Sequence, residues 1–118
     1  MLPEQGSSDD SAVRATLLAG HLGVKVETCN IAPALEAIGC YRWRDEAVRS
    51  VVPDFSAGWR MKIIISGGID GRINRFKIVT QAPDGTLTEH PLGLKPYLQI
   101  VAATNFKQRI RKTLEYFH

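Results

Sequence analysis

Apolar and polar positions divide the 118 residues into a helical opening, a strand-rich middle and a helical close. Val13, Leu17 and the run from Ala19 to Leu22 give one side of a helix predicted over residues 9–22, with Gly23 to stop it. Ser7 with Asp10 three residues later makes a capping-box-like start, Asp replacing Glu, and acidic residues in a first turn suit the helix dipole. Val24, Val26 and Thr28 then alternate with Lys25, Glu27 and Cys29, the period of a strand. Helix, glycine, strand is half of an α/β unit whose preceding strand is not visible, because Leu2-Pro3 reads as apolar and turn-forming. Ile31-Ala32-Pro33 opens a second helix, ended by Gly39, since proline early in a helix lacks only an N–H that would be unpaired there anyway. Trp43, Ala47 and Val51 at four-residue spacing predict a third helix over 41–52, broken by Pro53.

From Met61 the pattern changes. Residues 61–65 form an apolar strand, 66–71 a glycine-rich turn, and 76–81 a second strand; Pro83-Asp84-Gly85 is a turn signal and 86–90 a third strand. This is a β-meander over 61–90, set between helical regions as an insertion would be. Residues 94–103, with Leu94, Leu98 and Val101 apolar, read as a short helical or irregular lead-in to a final helix that Thr104 or Asn105 can cap. Phe106, Ile110, Leu114 and Phe117 line one face of that helix.

Lys107, Arg109, Arg111 and Lys112 fall in its first two turns, where the positive end of the dipole disfavours cations. Helix stability alone would not choose this, and two readings follow: a place for an anion such as phosphate, or a basic face turned to water. The chain is 44% hydrophobic and 23% charged with a net charge of +3, the composition of one globular domain with a slight bias toward anionic partners. Cys29 and Cys40 make no CxxC pair and no His completes a zinc site, so two reduced cytosolic thiols are expected and no metal site. The first residues carry neither a basic region nor an apolar run, so neither a signal peptide nor a membrane span is expected. Tyr41 and Trp43 could stack on bases, but packing is the reading their surroundings favour.

Ser7-Ser8-Asp9-Asp10-Ser11, the helix ending Gly20-His21-Leu22-Gly23, and Ile31-Ala32-Pro33 resemble the corresponding segments of the NAD+ synthases. Thr104-Asn105-Phe106-Lys107-Gln108-Arg109-Ile110-Arg111 is similar to that family's Gly-Asn-x-Lys-x-Arg-x-Arg segment, with Thr104 replacing the glycine. The likeness covers nearly all of the chain but only the middle of the family's ammonia-dependent synthase domain. It implies an α/β fold: a partial Rossmann-like, adenine nucleotide α-hydrolase-like domain over residues 1–118 with the meander as insertion. The implied reaction is ATP-dependent adenylation of the carboxylate of deamido-NAD+, followed by displacement of AMP by ammonia to give NAD+. It further implies ATP and Mg2+ as companions, a cytoplasmic homodimer, and Arg109, then Asn105, then Lys107 as deamido-NAD+ contacts. No catalytic, metal or ATP-binding residue is assigned. The family's N-terminal phosphate loop and C-terminal catalytic parts have no counterpart, so a fragment inactive alone is expected.

Ser66-Gly67-Gly68-Ile69-Asp70 looks like the Ser-Gly-Gly-x-Asp-Ser phosphate loop that pyrophosphate-releasing ATP enzymes carry after a strand and before a helix. Gly71 stands where that loop has Ser, and residues 72–76 lead toward another strand rather than a helix, so a hairpin turn is predicted instead. The alternative function is a binding module whose basic helix grips RNA or a phosphorylated partner. It fits the charge but lacks interleaved aromatics, and nucleic acid is not expected.

Overall fold

The computed structural model describes residues 1–66 and 75–117, so the glycine-rich stretch with the phosphate-loop lookalike lies outside the described residues beyond Ser66. The elements are α1 (Asp9–Leu22), α2 (Ala32–Ile38), α3 (Cys40–Arg49), β1 (Arg60–Ser66), β2 (Arg75–Gln81), β3 (Leu87–Pro91) and α4 (Leu94–Phe117). They assemble into two compact units, residues 1–40 with 107–118, and residues 41–106. The α/β character is as expected.

In the discontinuous unit, α1 spans the predicted residues, but its capping residue is not Ser7. Ser8 is the cap and its side chain accepts from the backbone N–H of Ser11 at 3.3 Å, with Asp9 and Asp10 in the first turn. Ser7 is used instead in a turn, where its hydroxyl accepts from the Glu4 N–H at 2.9 Å. Gly23 closes the helix at φ 67°, a left-handed conformation open to glycine, and Gly39 closes α2. Ala19, Ile31, Leu35 and Cys40 are this unit's buried apolar residues.

The strand expected over 24–29 joins no sheet. Pairing comes slightly later and with an unexpected partner: Met1 N donates to the Glu27 carbonyl, Cys29 N to Met1 O at 2.9 Å, and Ile31 N to Pro3 O at 3.0 Å. Bonds that step by two along both segments in the same direction are the parallel pattern. The one bond missing from it is the donation from residue 3, and Pro3 has no N–H to give. Residues 1–3 and 27–31 thus flank α1 as a short parallel pair, the arrangement of an α/β unit.

In the continuous unit, β1, β2 and β3 form an antiparallel meander in that order. Ile63 faces Ile78 and Met61 faces Thr80 across β1 and β2, and Thr80 faces Thr88 across β2 and β3. Ile78 and Thr80, two apart and so on one face, are both fully buried. The core is Ala47, Val48, Val52, Phe55, Ile78, Leu92 and Ile100, with Phe76 stacked on Tyr97 at 3.9 Å between centroids. Between β2 and β3, Gly85 N donates to Ala82 O and Thr86 N to Asp84 Oδ1, both at 2.9 Å, with Gly85 at φ 88°. This is the turn predicted from Pro83-Asp84-Gly85. β1 pairs antiparallel with β2 up to Ser66 opposite Arg75.

α3 presents a different face from the one predicted. Tyr41, Ala47 and Val48 are buried while Trp43 is exposed, and the Arg44 guanidinium lies 5.2 Å from the Tyr41 ring centroid. With Tyr41 only 4% exposed, the pair makes no open stacking platform.

Candidate functional site

The predicted cap at Thr104 and Asn105 is not formed. α4 runs unbroken from Leu94 to Phe117, Pro96 sits in its first turn, and the Thr104 hydroxyl donates to the Ile100 carbonyl at 3.1 Å. Residues 94–103 are therefore its first half, with Ile100 and Ala103 buried and Leu94 and Leu98 exposed. The physical consequence removes the electrostatic argument. Lys107, Arg109, Arg111 and Lys112 lie in the interior of the helix, outside its first and last turns, so the dipole does not act on them appreciably and no free N-terminal N–H groups assist an anion there.

Side-chain partners sort the four cations. Lys107 Nζ lies 3.4 Å from Glu4 Oε1, with side chains 17% and 6% exposed respectively. Arg111 Nε donates to the Leu2 carbonyl at 3.3 Å. Lys112 Nζ is 2.6 Å from Glu115 Oε2 in an exposed pair three residues apart, of a kind that contributes little. Arg109 is exposed and, among the described residues, its guanidinium makes no hydrogen bond or ion pair. Asn105, one helical turn before it on α4, is exposed too. Of the three residues expected to contact substrate, two face solvent and Lys107 is half-buried against Glu4. Sequence reading missed Glu4 altogether; its only signal was position among apolar and turn residues, which gives no hint of a partner 103 residues away.

Among the described residues, no three His, Cys, Asp or Glu side chains gather where a metal ion could be held, and no helix is long and apolar enough to cross a membrane. Cys29 is exposed and Cys40 buried, and neither is in a disulfide.

Over 118 residues, 99% of its length, the chain is 42% identical to an NH(3)-dependent NAD(+) synthetase from Mesorhizobium japonicum, covering 37% of that protein. The chain is homologous to part of the NH(3)-dependent NAD(+) synthetases. Two further synthetases of the same name fall alongside: one from Rhizobium meliloti at 42% identity with 35% covered, one from Rhizobium rhizogenes at 40% with 36% covered. The chain thus spans little more than a third of the length of the synthetases it matches. No protein-family model and no solved structure matches it.

Proposed function

We propose that residues 1–118 form the deamido-NAD+-binding middle of an ammonia-dependent NAD+ synthetase, a C–N ligase of NAD biosynthesis. In that reaction ATP transfers AMP to the carboxylate of deamido-NAD+ with release of pyrophosphate, and ammonia then displaces AMP to leave the amide. The observation that carries the reading is Arg109: a guanidinium free of partners among the described residues, standing at the first arginine of an Asn-x-Lys-x-Arg-x-Arg pattern in a chain 42% identical to a synthetase. A planar guanidinium grips phosphate or carboxylate through two parallel N–H bonds, which suits the pyrophosphate-bridged dinucleotide. Asn105 supplies an amide one turn away on the same helix.

The parallel pairing of residues 1–3 with 27–31 across α1 supports a Rossmann-like, adenine nucleotide α-hydrolase-like arrangement, with the meander of 61–90 as an insertion into it. The reading carries with it a cytoplasmic homodimer using ATP and Mg2+. No residue of this chain is assigned to either, since the described residues offer no carboxylate cluster to hold the metal.

A chimera tests the proposal. Residues 1–118 replace the matched segment of the Mesorhizobium japonicum synthetase, and NAD+ formation is followed with deamido-NAD+, ATP, Mg2+ and ammonia. NAD+ formation dependent on all three substrates is expected; a cooperatively folded chimera that binds no deamido-NAD+ overturns the reading.

A further inference from the structure

We propose that Glu4 is a positioning residue for the second half of α4: it docks Lys107, and thereby the turn that presents Arg109. Lys107 and Arg111 are then the anchored cations of the basic run, and Arg109 is the one left to an anionic ligand. The ligand half of this proposal rests on the synthetase reading; the docking half does not.

Three observations within the discontinuous unit converge. Lys107 and Arg111, four apart and so on one side of the helix, both reach the first four residues, Lys107 to the Glu4 carboxylate and Arg111 to the Leu2 carbonyl. Between those two partners, Pro3 is tied through its carbonyl to Ile31, so the anchor is itself paired backbone. The Glu4 side chain is 6% exposed, and a carboxylate so far removed from water needs its counter-charge in place.

The local backbone is shaped around that carboxylate. Ser7 N donates to Glu4 O and Glu4 N to the Ser7 hydroxyl, both at 2.9 Å, closing a tight turn over residues 4–7. Gly6, within it, is so placed that a Cβ would stand 2.9 Å from Glu4 Oε1, the same oxygen that meets Lys107. A side chain at position 6 would press on the docking oxygen. Arg109 is two residues from each anchored cation, about 200° around the helix, which turns it away from the dock and accounts for its exposure.

The test pairs hydrogen exchange on the 118-residue chain with kinetics of the chimera. Glu4→Gln and Lys107→Met are each expected to speed amide exchange in residues 107–114 about ten-fold. The charge swap Glu4→Lys with Lys107→Glu should recover most of the protection, and Gly6→Ala should lose part of it without changing any charge. In the chimera, Glu4→Gln should raise the KM for deamido-NAD+ but not that for ATP, and the swap should restore it. Unchanged exchange in Glu4→Gln overturns the docking role. A lower KM in Glu4→Gln overturns the proposal in the other direction, because it would show Lys107 released to bind the dinucleotide itself. If the parent chimera makes no NAD+, the synthetase reading fails on its own, and the exchange measurements still decide whether Glu4 docks the helix.

Discussion

The Thr104 hydroxyl donates to the carbonyl of Ile100, one helical turn back, at 3.1 Å. A threonine in that role is an interior helical residue satisfying itself against the preceding turn, and not a cap whose oxygen accepts from free N–H groups ahead of it. The distinction is measurable. Thr104→Ala should leave the chain as stable or stabilise it by up to about 0.5 kcal/mol, because alanine is the better interior helix former. Loss of a true cap would cost about 1 kcal/mol. Urea denaturation monitored by far-UV circular dichroism separates the two.

Arg109 carries the functional reading and, among the described residues, holds nothing else. In the chimera, Arg109→Ala is expected to weaken deamido-NAD+ binding about ten-fold, about 1.4 kcal/mol, with the melting temperature nearly unchanged. Arg109→Lys should recover little, since an ammonium keeps the charge but not the planar fork. Isothermal titration with deamido-NAD+ measures both. Unaltered affinity in Arg109→Ala would leave the basic face as a solvated surface.

Thr80 is fully buried, and its hydroxyl bonds to that of Thr88 at 2.8 Å across β2 and β3. Thr88→Val strands a buried hydroxyl and should cost about 1–3 kcal/mol, whereas replacing both threonines by valine should be close to neutral. A double-mutant cycle in urea gives the coupling directly. A loss in the double variant equal to the sum of the two single losses would mean that the pair is incidental to the sheet.

The Asp84 carboxylate accepts from the Thr86 N–H at 2.9 Å, and hydrogen bonding from the Thr86 backbone and then its side chain holds its pKa below the ordinary 3.8. A carboxyl whose folded pKa is depressed contributes stability above its unfolded pKa and loses it as the pH falls through the folded value. The β2–β3 turn should therefore loosen only below pH 3.8. Carbon-detected NMR titration of Asp84 checks this, with a midpoint at or above the ordinary value speaking against the bond.

Punctuation was the legible part of this fold. Gly23, Gly39 and Pro83-Asp84-Gly85 end helices or turn strands where their backbone preferences say they should. The meander was readable because its apolar run at 61–65 and its turn signal at Pro83-Asp84-Gly85 agree. At Thr104-Asn105 the local signal misled: two good cap residues stand inside a helix whose inward positions, Tyr97, Ile100, Ala103 and Ile110, continue across them, and packing outweighs a cap preference of about 1 kcal/mol. α3 formed where expected with Ala47 inward, but an aliphatic and aromatic count favours Trp43 inward too, whereas Trp43 is exposed and the Arg44 guanidinium lies over the Tyr41 ring. The partner of residues 27–31 was hidden because three residues containing a proline show no period at all. Of the site, Arg109 and Asn105 came from motif likeness, while Glu4 was invisible because a long-range ion pair leaves no local pattern.

The discontinuity of the first unit also sets an order of events on the ribosome. Residues 41–106 form one uninterrupted length whose strands pair with their sequence neighbours, so the contacts inside that unit wait on nothing from Lys107 onward. The other unit waits: Leu2 and Glu4 meet Arg111 and Lys107 only after more than a hundred residues have been synthesised. Closing so long a loop adds little entropy cost over a shorter one, but it cannot begin early.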